Sequence, residues 1–196
     1  MIAFYVTHPQ VAIDPDVPVP EWGLSEVGRS RLEAIAGRNW VRSFSHVFSS
    51  TEKKAIDGAG ILAGAANCAV EPVAEMGEND RSATGFLPPP EFEKAADWFF
   101  ANPKQSFRGW ERAVDAQARI VAAVEAAIAS RPTGKPIALV GHGGVGTLLK
   151  CHLAGQPISR KGDQGGGGGG NVFAFRLSDR RLLCDWTPVE NFEGKF

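Results

Sequence analysis

The sequence is short of cysteine, of long apolar runs and of charge of one sign, and each shortage removes a class of protein. Its three cysteines, Cys68, Cys151 and Cys184, are odd in number and form neither a CxxC pair nor a zinc-ligand spacing. That pattern argues against a disulfide framework or a structural zinc site and for buried thiols in a reducing compartment. No apolar stretch approaches the roughly 18 residues of a membrane span, and Met1–Val6 lacks the basic flank and length of a secretory leader, so neither a membrane nor export is expected. Lys and Arg total 21 against 22 Asp and Glu, a net charge of −1. With no basic run to follow a phosphodiester backbone, nucleic acid is not an expected partner. There is no internal repeat and no G-x-S-x-G elbow to make a nucleophile of Ser49 or Ser50, and the strand ends offer too few carboxylates for a metal site.

What is present fits a packed soluble protein: 196 residues, 43% hydrophobic and 22% charged, expected to form one cytoplasmic domain over 1–196. Residues 2–7 are apolar and β-favouring, and Pro9 leaves His8 where strand yields to a loop carrying Pro15, Pro18 and Pro20. Ser25 is an expected N-cap for a helix with the stripe Leu24, Val27, Leu32, Ile35 and Ala36. Val47–Ser49 reads as a second strand, followed by a helix capped at Thr51-Glu52. Ala69–Ala74 reads as a third strand, and Gly77–Pro90 as a long polar loop of functional character, with Pro90 opening a helix. A helical stripe runs from Trp110 to Ile128 and is stopped by Pro132-Thr133-Gly134; Ile137–Val140 is then an apolar strand of the doubly buried kind. Gly165–Gly170 is an expected mobile loop. Val172–Leu177 and Leu182–Trp186 read as an antiparallel hairpin at the sheet edge.

Alternating strands and helices predict an α/β fold: a mainly parallel sheet covered on both faces, with that hairpin at its edge. Ligands of such sheets bind beyond the carboxyl ends of the strands. His8, Ser49, Ser50 and His142 all fall there, whereas His46 begins a strand and His152 lies in a helix, both read as structural. Gly141-His142-Gly143-Gly144 opens a helix whose first amides and positive dipole end would face an anionic ligand. The same stretch to Gly146 formally satisfies GxGxxG. It lies late in the chain, however, with no second parallel strand and no ribose-binding acid after it, so no nicotinamide, and no other cofactor, is expected. Trp98, Phe99, Phe100, Phe107 and Trp110 read as core or as cover for the cleft.

Several motifs coincide, in order and spacing, with one family. The strand ending in Thr7-His8-Pro9 stands where that family has Arg-His-Gly. Leu24-Ser25-Glu26-Val27-Gly28 resembles its Leu-Thr-x-x-Gly, and Ser49-Ser50-Thr51-Glu52-Lys53-Lys54-Ala55 its Ser-Ser-Pro-x-x-Arg-Ala. Val140–Gly144 looks like the segment with the second histidine, and Asn171 before a late strand also fits. Over nearly its whole length the chain resembles the histidine phosphatase superfamily, the group that includes cofactor-dependent phosphoglycerate mutases. The resemblance implies a three-layer α/β/α sandwich of phosphoglycerate-mutase type and metal-independent hydrolysis of a small phosphorylated substrate. In that chemistry His8 accepts the phosphoryl group, His142 stabilises the equatorial oxygens and a glutamate protonates the leaving alkoxide. Glu75 and Glu78 compete for the last role, and Glu78 is favoured because it opens the loop Glu78–Gly85. Substrate contacts would fall to Thr7, Ser49, Lys54, Arg81 and Gly143.

Two departures stand out. The family's first arginine is Thr7 and its second Lys54, so two guanidinium forks become a hydroxyl and an ammonium, with Arg81 the candidate to compensate. Pro9 also removes a backbone N–H. The alternatives are therefore a weak or inactive member that binds a phosphorylated ligand or protein partner, or a phosphomutase. The sequence carries no signal of oligomeric state.

Overall fold

The computed structural model describes residues 1–132, 134–165 and 167–196; Thr133, read above as part of a helix stop, and Gly166, in the glycine run, lie outside the described residues. The strands are β1 (Ile2–Thr7), β2 (His46–Ser49), β3 (Val70–Pro72), β4 (Ile137–Gly141), β5 (Asn171–Arg176) and β6 (Leu182–Pro188). The helices are α1 (Glu26–Glu33), α2 (Asn39–Arg42), α3 (Lys53–Ala66), α4 (Pro89–Ala101), α5 (Ala113–Ser130) and α6 (Gly143–Leu153). The sheet order is β3-β2-β4-β1-β5-β6, parallel through the first four and antiparallel at β5 and β6.

The period-2 alternation of each strand divides the core in two. Tyr5, Leu139 and Phe173 face one side and pack with α4, α5 and α6, in company with Phe99, Ile120 and Leu148. Phe4, Val6, Val140 and Val172 face the other and pack with α1, α2 and α3 through Leu32, Trp40 and Leu62. The result is the three-layer α/β/α sandwich, and β4 is buried along its whole length as its apolar run requires.

Local chemistry explains the boundaries. Ser25 caps α1, its hydroxyl accepting the Gly28 N–H at 3.1 Å. Val27, read as part of the buried stripe, is 60% exposed, because the helix is held by Gly28 and Leu32 instead. The third strand is shorter than Ala69–Ala74: its pairing with β2 ends at Pro72, and Ala74–Met76 forms a 3-10 turn. Pro89, one residue earlier than expected, opens α4. Glu52 stands at the N-cap of α3, yet its carboxylate makes no cap; it is directed into the cleft.

The glycine run is not a free loop through its whole length. Gly165, Gly167, Gly168, Gly169 and Gly170 all take positive φ, a region closed to most side chains. The Arg31 guanidinium donates to the carbonyls of Gly167, Gly169 and Gly170. A side chain at Gly169 would meet the His8 carbonyl oxygen at 2.1 Å.

Candidate active site

The carboxyl ends of β1, β2 and β4 open into a cavity of about 1010 Å³. His8, Lys54, Glu78, Arg81 and His142 all line it. The backbone of His8 is clamped on both sides, its N–H donating to Gly141 O at 3.0 Å and its carbonyl accepting from Gly170 N at 3.1 Å. Its ring Nδ1 lies 2.9 Å from the Pro9 carbonyl oxygen. A carbonyl only accepts, so Nδ1 carries the proton and Nε2 keeps its lone pair. Burial, then the nearby His142, lowers the His8 pKa from 6.5 to about 3, which leaves the ring neutral and nucleophilic at physiological pH.

His142 faces His8 with ring centroids 5.2 Å apart and planes at 71°. Its backbone N–H donates to the Tyr5 hydroxyl, which donates in turn to the His142 carbonyl, both at 3.1 Å. Nε2 lies 2.8 Å from Ser50 Oγ and 3.3 Å from Glu52 Oε1. Burial lowers the His142 pKa against the opposing pull of Glu52 and Glu78. Nδ1 is buried without a hydrogen-bond partner among the described residues, and so is Nδ2 of Asn79, which also lines the cavity. Both atoms are thus free to bond a ligand in the cavity.

Glu78 occupies the start of α6. Its carboxylate accepts from Gly144 N at 3.1 Å, Val145 N at 3.0 Å and Asn79 N at 3.1 Å, with Arg81 Nη2 at 3.6 Å. Burial pushes the carboxyl pKa up, but Arg81, His142 and the Asn79 amide outweigh it and hold Glu78 below the usual range. A side chain at Gly144 would fall 2.7 Å from Glu78 Oε1, so glycine there is what admits the carboxylate. This corrects the expectation that the helix N-terminus faces a substrate anion: the anion is the protein's own. Glu75 is exposed on the 3-10 turn and lies outside the cavity.

Other expected contacts are redirected. Thr7 is buried and away from the cavity lining; its hydroxyl donates to Gln164 Oε1 at 2.7 Å and accepts the Asn171 N–H at 2.9 Å. Ser49 donates to the Ser50 carbonyl at 2.8 Å, and its neighbour Ser50 is the serine against His142. A side chain at Gly143 would meet the Gln164 amide at 2.2 Å, so that glycine makes room for Gln164 rather than for a ligand.

The residue that sequence reasoning missed is Glu52. Its Oε1 accepts from Glu78 N at 3.0 Å and its Oε2 pairs with the buried ammonium of Lys54, which also donates to Val19 O at 2.9 Å. Burial favours the neutral acid, but His142, Lys54 and the Glu78 amide prevail and hold the Glu52 pKa at about 2. The Lys54 ammonium is therefore neutralised within the protein. Arg81 lies over Phe92 and Trp110, 5.1 and 5.6 Å from the ring centroids. No group of three or more His, Cys, Asp or Glu side chains among the described residues could hold a metal ion, and no helix among them is long and apolar enough to cross a membrane.

Comparison with known proteins bears on the fold and the family. No curated protein matches by sequence. Among solved structures, the mycobacterial glucosyl-3-phosphoglycerate phosphatase with inorganic phosphate superposes with a TM-score of 0.79 at 21% identity, covering 97% of this chain and 99% of that one. YhfR of Bacillus stearothermophilus also gives 0.79, at 18% identity over 96% and 98%. A phosphoserine phosphatase of Entamoeba histolytica in complex with 3-phosphoglyceric acid gives 0.72, at 14% identity over 95% and 96%. These likenesses establish the phosphoglycerate-mutase-like fold. The family-level match covers residues 12–168, most of the chain and both flanks of the cleft, and the chain belongs to the histidine phosphatase superfamily, branch 1.

Proposed function

We propose that the protein is a metal-independent phosphomonoester hydrolase working through a phosphohistidine on His8. The observation that carries this is the state of His8: its Nδ1 proton spent on Pro9, its pKa lowered to about 3, and its ring on the wall of the cavity shared with His142 and Glu78. Nε2 attacks phosphorus in line, the P–O ester bond breaks, and Glu78 gives its proton to the departing alkoxide. Water then attacks the phosphohistidine with the Glu78 carboxylate as base, releasing phosphate and restoring His8.

Electrostatics supplies the missing proton on Glu78. In the empty site it is a carboxylate, and a phosphate dianion beside it favours the protonated form. The same dianion, with Glu52 behind Nε2, favours imidazolium at His142, whose unpartnered Nδ1 then donates to an equatorial oxygen. Arg81 and the Asn79 amide are the further donors available. The family membership and free thiols at Cys68, Cys151 and Cys184 support a cytoplasmic setting.

The neutralised Lys54 favours a second reading, a protein that binds phosphorylated ligands without turning them over. Phosphate release from a broad phosphoester panel in chelator-treated buffer separates the two. Hydrolysis abolished by His8→Ala is expected; a complete panel without His8-dependent release overturns the hydrolase.

A further inference from the structure

The part of the cavity beyond the two histidines is lined mainly by apolar side chains and carboxylates, a poor setting for a second anionic group. One wall is the loop after β1, where Pro15, Pro18 and Pro20 line the space and lack N–H groups to offer. Val17 and Val19 fill the intervals between them, and Val11 also lines the space. The indole of Trp22 packs onto this loop and, at 5.5 Å, against Phe86, and Leu87, Phe92 and Trp110 also line the cavity. Both indole donors are already spent: Trp22 Nε1 on the Asp14 and Val17 carbonyls, Trp110 Nε1 on Thr84. Phe86 is 44% exposed, so part of its ring is open to a ligand in the cavity it lines.

Charge points the same way. The lining carries four carboxylates, Asp16, Glu52, Glu78 and Asp80, against the two cations Lys54 and Arg81. Lys54 is paired with Glu52, and Arg81 stands at Glu78. Among the described lining residues no unpaired cation remains for a second negative group once a phosphate is in place. The volume, at the upper end of the roughly 300–1,000 Å³ of small-ligand sites, also far exceeds the needs of a phosphate on a three-carbon acid.

We infer that the substrate is a phosphomonoester of a bulky, uncharged and largely apolar or aromatic alcohol, seated against the proline loop and the Trp22–Phe86 pair. This rests on the hydrolase reading above for its chemistry, and on the cavity walls alone for its specificity. The leaving group buries its surface against valines, prolines and rings, while the phosphate end meets the histidines, Asn79 and Arg81.

The test is a chain-length series, butyl to octyl phosphate, with naphthyl phosphate, 3-phosphoglycerate and phosphoserine, run in parallel with calorimetric binding of the matching alkylphosphonates. The expected kcat/KM rises about fourfold per methylene through the series, naphthyl phosphate exceeds both acids, and Phe86→Ala flattens the slope. Hydrolysis with a flat slope, or with the acids preferred, overturns the inference and leaves the hydrolase standing. Phosphonate binding that tightens with chain length in the absence of any turnover upholds the apolar site and overturns the hydrolase. Phosphonates that bind with no dependence on chain length overturn the apolar site.

Discussion

At the scale of single residues, the parity of strand ends decided what could be read in advance. His8 and His142 were legible because a histidine just past an apolar strand, before proline or glycine, can point only into the crevice or the backbone beside it. Thr7 and Ser49 were not: each lies one step from a residue that does enter the site, and successive side chains of a strand leave on opposite faces. Glu52 was hidden for another reason. An acid at a helix start reads as a cap, and only the fold reveals that its carboxylate serves Lys54, His142 and the Glu78 amide instead. A pair of variants isolates its role toward Lys54: Glu52→Gln is expected to bind inorganic phosphate about tenfold or more tighter than Glu52→Gln with Lys54→Met, the worth of one charged hydrogen bond; equal constants contradict the neutralisation. Glu78→Gln is expected to cost about 10²–10⁴ in kcat on alkyl phosphates and far less on p-nitrophenyl phosphate, which leaves without a proton. The pH profile follows from the same charges. As pH falls from 7 the protonated fraction of Glu78 grows while His8 stays neutral, so kcat/KM on alkyl phosphates rises on mild acidification and falls once the ester itself is protonated, below its second pKa of about 6.

At the scale of elements, strand and helix order followed from hydrophobic period, whereas helix starts and loops depended on partners far away in sequence. The first turn of α6 is the clearest case: its amides were legible as an anion site, but the anion comes from a loop more than sixty residues earlier. Gly144→Ala displaces that carboxylate, and its kinetic signature should match Glu78→Gln, with the loss concentrated on alkyl leaving groups; equal loss on p-nitrophenyl phosphate contradicts the assignment. The glycine run shows the converse. Composition alone makes it mobile, yet Arg31, itself paired with Glu190, bonds three of its carbonyls and brings Gly170 N onto His8 O. Arg31→Ala is expected to destabilise the fold by about 1–3 kcal/mol and to speed amide exchange at Gly170, reducing turnover by loosening His8; exchange at wild-type rates contradicts the staple.

At the scale of the molecule, two half-cores lie on either face of one sheet and the histidines sit at its strand ends, where burial sets the response to acid. His8 has a depressed pKa, so the unfolded chain takes up its proton near pH 6.5 while the folded one resists to about 3; His142 shifts in the same direction. Their contribution to stability is complete above pH 6.5 and is lost as pH falls toward 3. Glu52 and Glu78 are likewise depressed, contributing above pH 4.5 and losing that as pH falls, for Glu52 toward about 2. Urea midpoints should therefore drop steadily from pH 7 to 4, with His8→Gln flattening the upper part of that range. The central claim, a phosphoryl group carried on His8, is tested most directly by rapid quenching of the intact protein with a phosphate-labelled ester. The expected result is a stoichiometric label on His8 that survives alkali, is lost in acid and is absent from His8→Ala. Turnover with no such label, or equal turnover by His8→Ala, contradicts it.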